Sequence, residues 1–335
     1  MDADLQRTCE LFIKNRELLR DNFTWDGCAM HLIGSAVLTA HSASPDIDSL
    51  VSCAKVIKDR AGMLSPLRGH LKILMICNMI LEEDRDEYFA NVERAYNLLR
   101  ITRRMRDQRF YLSAIAMANV VDDKEELLGL VDKACEIYER LKGIDGFFDD
   151  GSGFVTACIM ASAGATATDE FFAEVEKCVS DLEGEFGRTP SSIALSCILA
   201  LDKADSSFKS ARLKEIYRML DAEGIRYGKD SELPVLGSLI MLDLTNAEIA
   251  GALREADAYL RTQQGFDRFG CGPDKRHMYA VLLVMSTYAS VVQAEQFAES
   301  SVMNGAVVSQ FAAMAAGTMM VTSAVFESLN SDFRI

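Results

Sequence analysis

Proline is scarce, with five in 335 residues, and none stands where a helix interior is required. Ser44-Pro45, Ser65-Pro66 and Thr189-Pro190 each put a hydroxyl directly before a proline, the pairing favoured at the cap and first position of a helix. Pro234 fits a first helical turn after Asp230 and Ser231, and Pro273 sits in a glycine-containing loop. The nine cysteines are odd in number, scattered and without a C-x-x-C pair, which argues against a sulfur-rich zinc motif. They read as reduced core residues. Positive charge is also in deficit, 35 Lys and Arg against 50 Asp and Glu, for a net charge of −15. Such a field repels phosphate backbones, so no nucleic-acid partner is expected. The first seven residues lack a basic run followed by an apolar stretch, which predicts no secretory signal and a cytoplasmic location. A mean hydropathy of +0.06 with 25% charged residues excludes a polytopic membrane protein.

What the chain does have is periodicity. Six apolar, nearly uncharged segments occupy 71–81, 110–121, 154–165, 192–201, 233–242 and 278–292, with centres 39 to 44 residues apart. Each of the earlier ones leads through a short polar break into a charged amphipathic stretch. In the break at 121–125, Asp122 can cap a helix with Glu125 three residues on; 168–170 and 245–248 are comparable starts. Beyond it Leu127, Val131, Ala134, Tyr138 and Leu141 mark one helical face. Alanine, methionine and leucine dominate the apolar segments and strict alternation is absent, so strands are not expected. The unit is a helical hairpin: a short helix uncharged all round, then a longer one with a wet face. Segments 28–43 and 46–60 form another such pair, preceded by a helix near 4–20 that reads as a cap. The expectation is an all-α chain of about seven hairpins over 1–298, stacked as an α/α superhelix or closed as an α/α toroid. A C-terminal helix within 299–335 would then pack on that array or on a second subunit.

Two loops mix glycine, aromatics and carboxylates and are the candidates for lining a pocket. The first contributes Asp145, Phe147, Asp149 and Asp150, acids that can act as a pair when crowded. The second contributes Asp267, Arg268, Arg276 and His277. Asp267, Cys271 and His277 form a weak candidate metal set, since thiolate and imidazole suit zinc. The same residues also serve as ordinary turn formers and caps, and no cofactor is called for. Arg68, at a helix start, is a candidate anion contact. The cluster Arg100, Arg103, Arg104, Arg106 and Arg109 is expected to form ion pairs with the acids at 83–87. No catalytic residue can be assigned.

The string Leu260-Arg261-Thr262-Gln263-Gln264-Gly265-Phe266, with Tyr279 opening the next helix, resembles the repeats of the prenyltransferase and terpenoid-cyclase toroids. That likeness covers about 25 residues and implies a toroid; the acidic D-x-D-D cluster of one branch of those cyclases is missing. Residues 300–326 carry no charge over 27 positions yet contain no leucine or isoleucine, which suits helix packing or a homodimer contact better than a bilayer span. That tail, the string Ser65-Pro66-Leu67-Arg68-Gly69 and the pair Tyr111-Leu112 together resemble a bacterial family known as a domain of unknown function. The resemblance implies a bacterial, cytoplasmic helical protein and supplies no catalytic residues. The leading expectation is a non-enzymatic protein acting through protein contact or self-association. The alternative is a toroid enzyme or small-molecule binder with a central pocket.

Overall fold

A computed structural model describes residues 1–299 apart from 70, 105–106, 122, 148–152, 203, 231 and 267–270, with side chains through 288. Every regular element among the described residues is helical. The longer helices are α1 (Ala3–Asn22), α3 (Ile47–Arg60), α5 (Arg85–Arg103), α7 (Lys124–Leu141), α9 (Asp169–Phe186), α11 (Ser206–Ala222) and α13 (Asn246–Arg261). Between them lie α2 (Cys28–Ala40), α4 (Lys72–Ile80), α6 (Phe110–Ala118), α8 (Gly153–Ser162), α10 (Pro190–Leu199) and α12 (Leu233–Leu236). The last, α14 (Gly272–Glu299), runs 28 residues, about 42 Å at 1.5 Å per residue.

The two sets differ as their compositions require. All nine residues of α6 are buried, and from Ser192 to Leu199 every residue of α10 is as well. The longer helices bury one stripe only, such as Leu127, Val131, Ala134, Ile137 and Leu141 of α7. Each longer helix begins with a side-chain cap: Asp2, Asp46, Asp84, Asp123, Thr168, Asp205 and Thr245 accept first-turn backbone N–H groups. Such a cap contributes about 1 kcal/mol, and Thr245 with Glu248 completes a capping box.

Local details depart from the sequence pattern in four places. Asp123, rather than Asp122, caps α7, its carboxylate reaching both Glu125 and Glu126 N–H. Pro45 precedes the cap of α3 instead of following it, because Asp46 takes the Ser49 N–H at 2.7 Å. Pro273 lies in the first turn of α14 rather than in a loop, where its missing N–H costs nothing. Segment 233–242 is one α-turn running into a 3-10 helix, Gly237–Met241, not a full α-helix. Its exit is held by Arg212, which donates to the carbonyls of Leu242 and Leu244.

Short helices pack on short helices: α2 on α4, α6 on α8, α8 on α10, α10 on α12, and α12 on α14. The α2–α4 approach is close, for a Cβ on Gly34 would stand 2.7 Å from Ile73 and 2.8 Å from the Cys77 sulfur. Asn119, the C-cap of α6, ties to Asn78 of α4 at 3.0 Å. Contrary to the pairing expected from sequence, a longer helix pairs with the short one after it: α1 packs on α2, α5 on α6, α7 on α8, α9 on α10 and α13 on α14. The first such hairpin meets the last, since α14 packs on α1 and α2, and α13 packs on α1. At that seam Phe12 lies 6.0 Å from the Phe266 ring and 5.6 Å from Tyr279, all three fully buried. Burying each such ring stabilises the contact by about 2–3 kcal/mol. Arg16 covers the Phe266 ring and donates to the Gln264 carbonyl.

Candidate functional site

Short connections make successive helices antiparallel, so all the buried helices begin at one end of the assembly and finish at the other. The finishing end is acidic: among the described residues its loops hold Asp46, Glu82, Glu83, Asp84, Asp123, Asp202, Asp205 and Asp243 and no Lys or Arg. Several of these acids are the caps of the longer helices. The starting end holds both signs, and the arginines Arg68, Arg104, Arg109, Arg188 and Arg226 are found there.

Two polar clusters stand at this end. In the first, the Tyr111 hydroxyl at the start of α6 donates to Glu93 Oε1 of α5 at 3.1 Å. Ser65 hydrogen-bonds the same phenol and also accepts the Leu67 N–H. Tyr96, one turn beyond Glu93 on α5, stacks face to face on Tyr111 at 3.8 Å. Burial raises the Glu93 carboxyl above its ordinary value, opposed by the Tyr111 hydrogen bond, and burial likewise raises the phenol. Tyr111 is buried, whereas Ser65, Glu93 and Tyr96 remain half-buried. The set is therefore a hydrogen-bonded chain from a reachable hydroxyl to a carboxylate made more basic by its surroundings.

The second cluster is sealed. Arg276 Nε lies 2.6 Å from Asp257 Oδ1, its Nη1 donates to the Phe266 carbonyl at 3.1 Å, and His277 Nε2 stands 3.5 Å from Asp257 Oδ1. Tyr227 stacks on the imidazole at 6.3 Å. Burial holds His277 below its ordinary value; Asp257 opposes that and Arg276 reinforces it. The adjoining cavity, bordered by Leu220, Ile225 and Leu253, has room for about one water. That is too small for a substrate. The cluster clamps the loop before α14 onto α13.

Of the residues singled out from sequence, Arg276 and His277 thus come together, on an Asp257 that the pattern did not expose. Asp145 is exposed and lies 3.8 Å from Arg188, which binds Glu183 more closely at 3.0 Å. Phe147 packs edge-on against Tyr138. Asp149, Asp150, Asp267, Arg268 and the stretch 300–326 lie outside the described residues. Arg68 is exposed and donates to the Lys58 carbonyl. Of the arginine cluster, Arg106 lies outside the described residues, Arg103 covers the Tyr138 and Phe154 rings, and Arg109 pairs with Asp107 at 2.6 Å. Asp86 and Glu87 take Arg60 and Arg94 instead. Among the described residues no three His, Cys, Asp or Glu side chains are grouped to hold a metal, and Asp267 of the suggested set is not among them. Nor is any helix among them long and apolar enough to cross a membrane.

Sequence signals for the two clusters existed but were weak. Glu93 and Asp257 each sit on the buried stripe of an amphipathic helix, four residues after Phe89 and Leu253 respectively. An acid at such a position calls for a partner, but the stripe does not say which.

Fold and clusters define an all-α protein of paired short buried and longer half-wet helices. Within that class the chain matches, over residues 15–314, the family described as a protein of unknown function (DUF4003), and it belongs to that family. Ser65 and Tyr111, from the two strings on which the family likeness was read, are partners in the first cluster. No curated protein and no solved structure matches the chain.

Proposed function

We propose that the chain closes as an α/α toroid that binds a small anionic ligand at the end where its buried helices begin. The observation that carries this reading is the packing of the first hairpin on the last. An open superhelix would keep those hairpins apart and offer a long concave face; a ring gathers the loops entering its buried helices around one mouth. Those loops hold the arginines, and the opposite end is acidic, so an anion is drawn to the first end and repelled from the second. The half-buried Ser65 hydroxyl would supply a directed hydrogen bond, with Arg68 able to exchange a backbone carbonyl for a carboxylate or phosphate.

The test is a thermal-shift screen of the full chain against inorganic phosphate, phosphorylated sugars and small carboxylates. A ligand at a hundred times its Kd adds about 2.7 kcal/mol, a readily measured rise in Tm. The rise should vanish in Arg68→Ala. Absence of any shift at millimolar ligand would count against the reading.

A second reading, protein contact or self-association, is favoured by Trp25, Met63 and Leu64. These are 98%, 85% and 97% exposed in loops that enter α2 and α4. Sedimentation of the full chain and of Trp25→Ala across concentrations tests it, since a partnerless monomer in both would remove self-association. The expected homodimer contact through 300–326 and the cytoplasmic setting belong with this reading.

A further inference from the structure

Of the nine thiols, six are buried, Cys135 and Cys271 are half-buried, and Cys28 alone is exposed. Cys28 opens α2 and Cys271 immediately precedes α14, two helices that pack together where the first hairpin meets the last. Gly265 lies between them. A Cβ placed on it would stand 3.8 Å from the Cys28 sulfur, and its carbonyl accepts the Cys271 N–H at 3.0 Å. The most accessible thiol of the chain and the backbone of one of the next most accessible thus both approach Gly265, while the Cys271 thiol itself rests on the Gly272 carbonyl at 3.5 Å. The two are close enough that, after burial, the Cys28 charge is the next largest influence raising Cys271.

We propose that Cys28 and Cys271 form a reversible disulfide across the seam between the first and last hairpins, made by exchange with a small-molecule disulfide. Cys28, reached from solvent, loses its proton to water and attacks the external disulfide. One external thiolate leaves, and a mixed disulfide remains on Cys28. The Cys271 thiolate then attacks the Cys28 sulfur, forms the intramolecular bond and expels the second external thiolate. Two protein thiols are oxidised and one external disulfide is reduced to two thiols, each taking up a proton.

The geometry sets the order and pace of these steps. Disulfide formation needs the two Cα atoms within about 7 Å. Gly265 and Gly272, at φ +86° and +75°, lie on either side of Cys271 along the chain and accept backbone change there without a Cβ penalty. Burial pushes the Cys271 thiol up to about 11, which keeps it protonated near neutrality. Resolution of the mixed disulfide should accordingly speed up about tenfold per pH unit below that value.

The full chain treated with oxidised glutathione at pH 7 to 9, then alkylated and mapped by mass spectrometry, tests the proposal. The expected result is loss of two hydrogens and a cross-linked peptide pair containing Cys28 and Cys271, formed faster at pH 9 and reversed by dithiothreitol. Cys271→Ser should stop at the glutathione adduct on Cys28. An adduct that persists on Cys28 in the unsubstituted chain at every pH would overturn the proposal, as would cross-linking of any other pair. Either outcome leaves the ligand screen unaffected.

Discussion

The clusters around Glu93 and around Asp257 are built alike and behave differently. Each centres on one carboxylate carried by the buried stripe of a longer helix, and each reaches a residue at the start of a buried helix, Tyr111 or Arg276. The Asp257 carboxylate meets a guanidinium and an imidazole in a space with no room for a ligand. The Glu93 carboxylate meets a phenol and, through it, a half-buried serine. A sealed charge requires a charged partner, because neither can be left unpaired out of water. A half-open one is satisfied by neutral donors and keeps its basicity. The Asp257 cluster is a clamp, and the Glu93 cluster is half open to solvent.

The comparison breaks most visibly at Asp257. Asp257→Ala strands Arg276 without its counter-ion and should cost about 3–5 kcal/mol in urea unfolding. Tyr111→Phe removes one hydrogen bond from a group water can still reach in part, so a loss of about 1 kcal/mol is expected in the same measurement. A similar loss for both would erase the distinction. The smallest effects are pH effects of opposite sign. Burial favours neutral His277, so its contribution is complete above the ordinary histidine value and is lost as pH falls through its lowered one. Burial favours protonated Glu93, so its contribution is complete below the ordinary glutamate value and is lost as pH rises through its raised one. Between pH 7 and 5, His277→Phe should flatten the decline in Tm. Over pH 7 to 4, Glu93→Gln should narrow from slightly more stable than the parent, by under about 1 kcal/mol, to equal.

Much of the architecture was legible because uncharged helices admit few environments. The segments at 110–121 and 192–201 could only be buried on several sides, and α6 and α10 are. The caps at Thr168 and Thr245 were legible too, since hydroxyl and acid lie within one turn. Segment 233–242 misled because Pro234 suits a first helical turn equally well whether the next turn is α or 3-10. The clusters were illegible for a different reason. Asp257 and Arg276 are 19 residues apart and Ser65 and Tyr111 are 46 apart, and no local pattern relates them. Only tertiary packing brings them together.

The capping of the longer helices has an effect beyond each helix. Because acids start most of those helices, the described loops at one end carry only negative charge while those at the other carry both signs, so the described helices are electrically uneven from end to end. Near a charged surface or partner such a body feels a torque before it feels a contact. At physiological salt that torque reaches roughly 8 Å, enough to turn the acidic end away from a negative surface during the last step of approach.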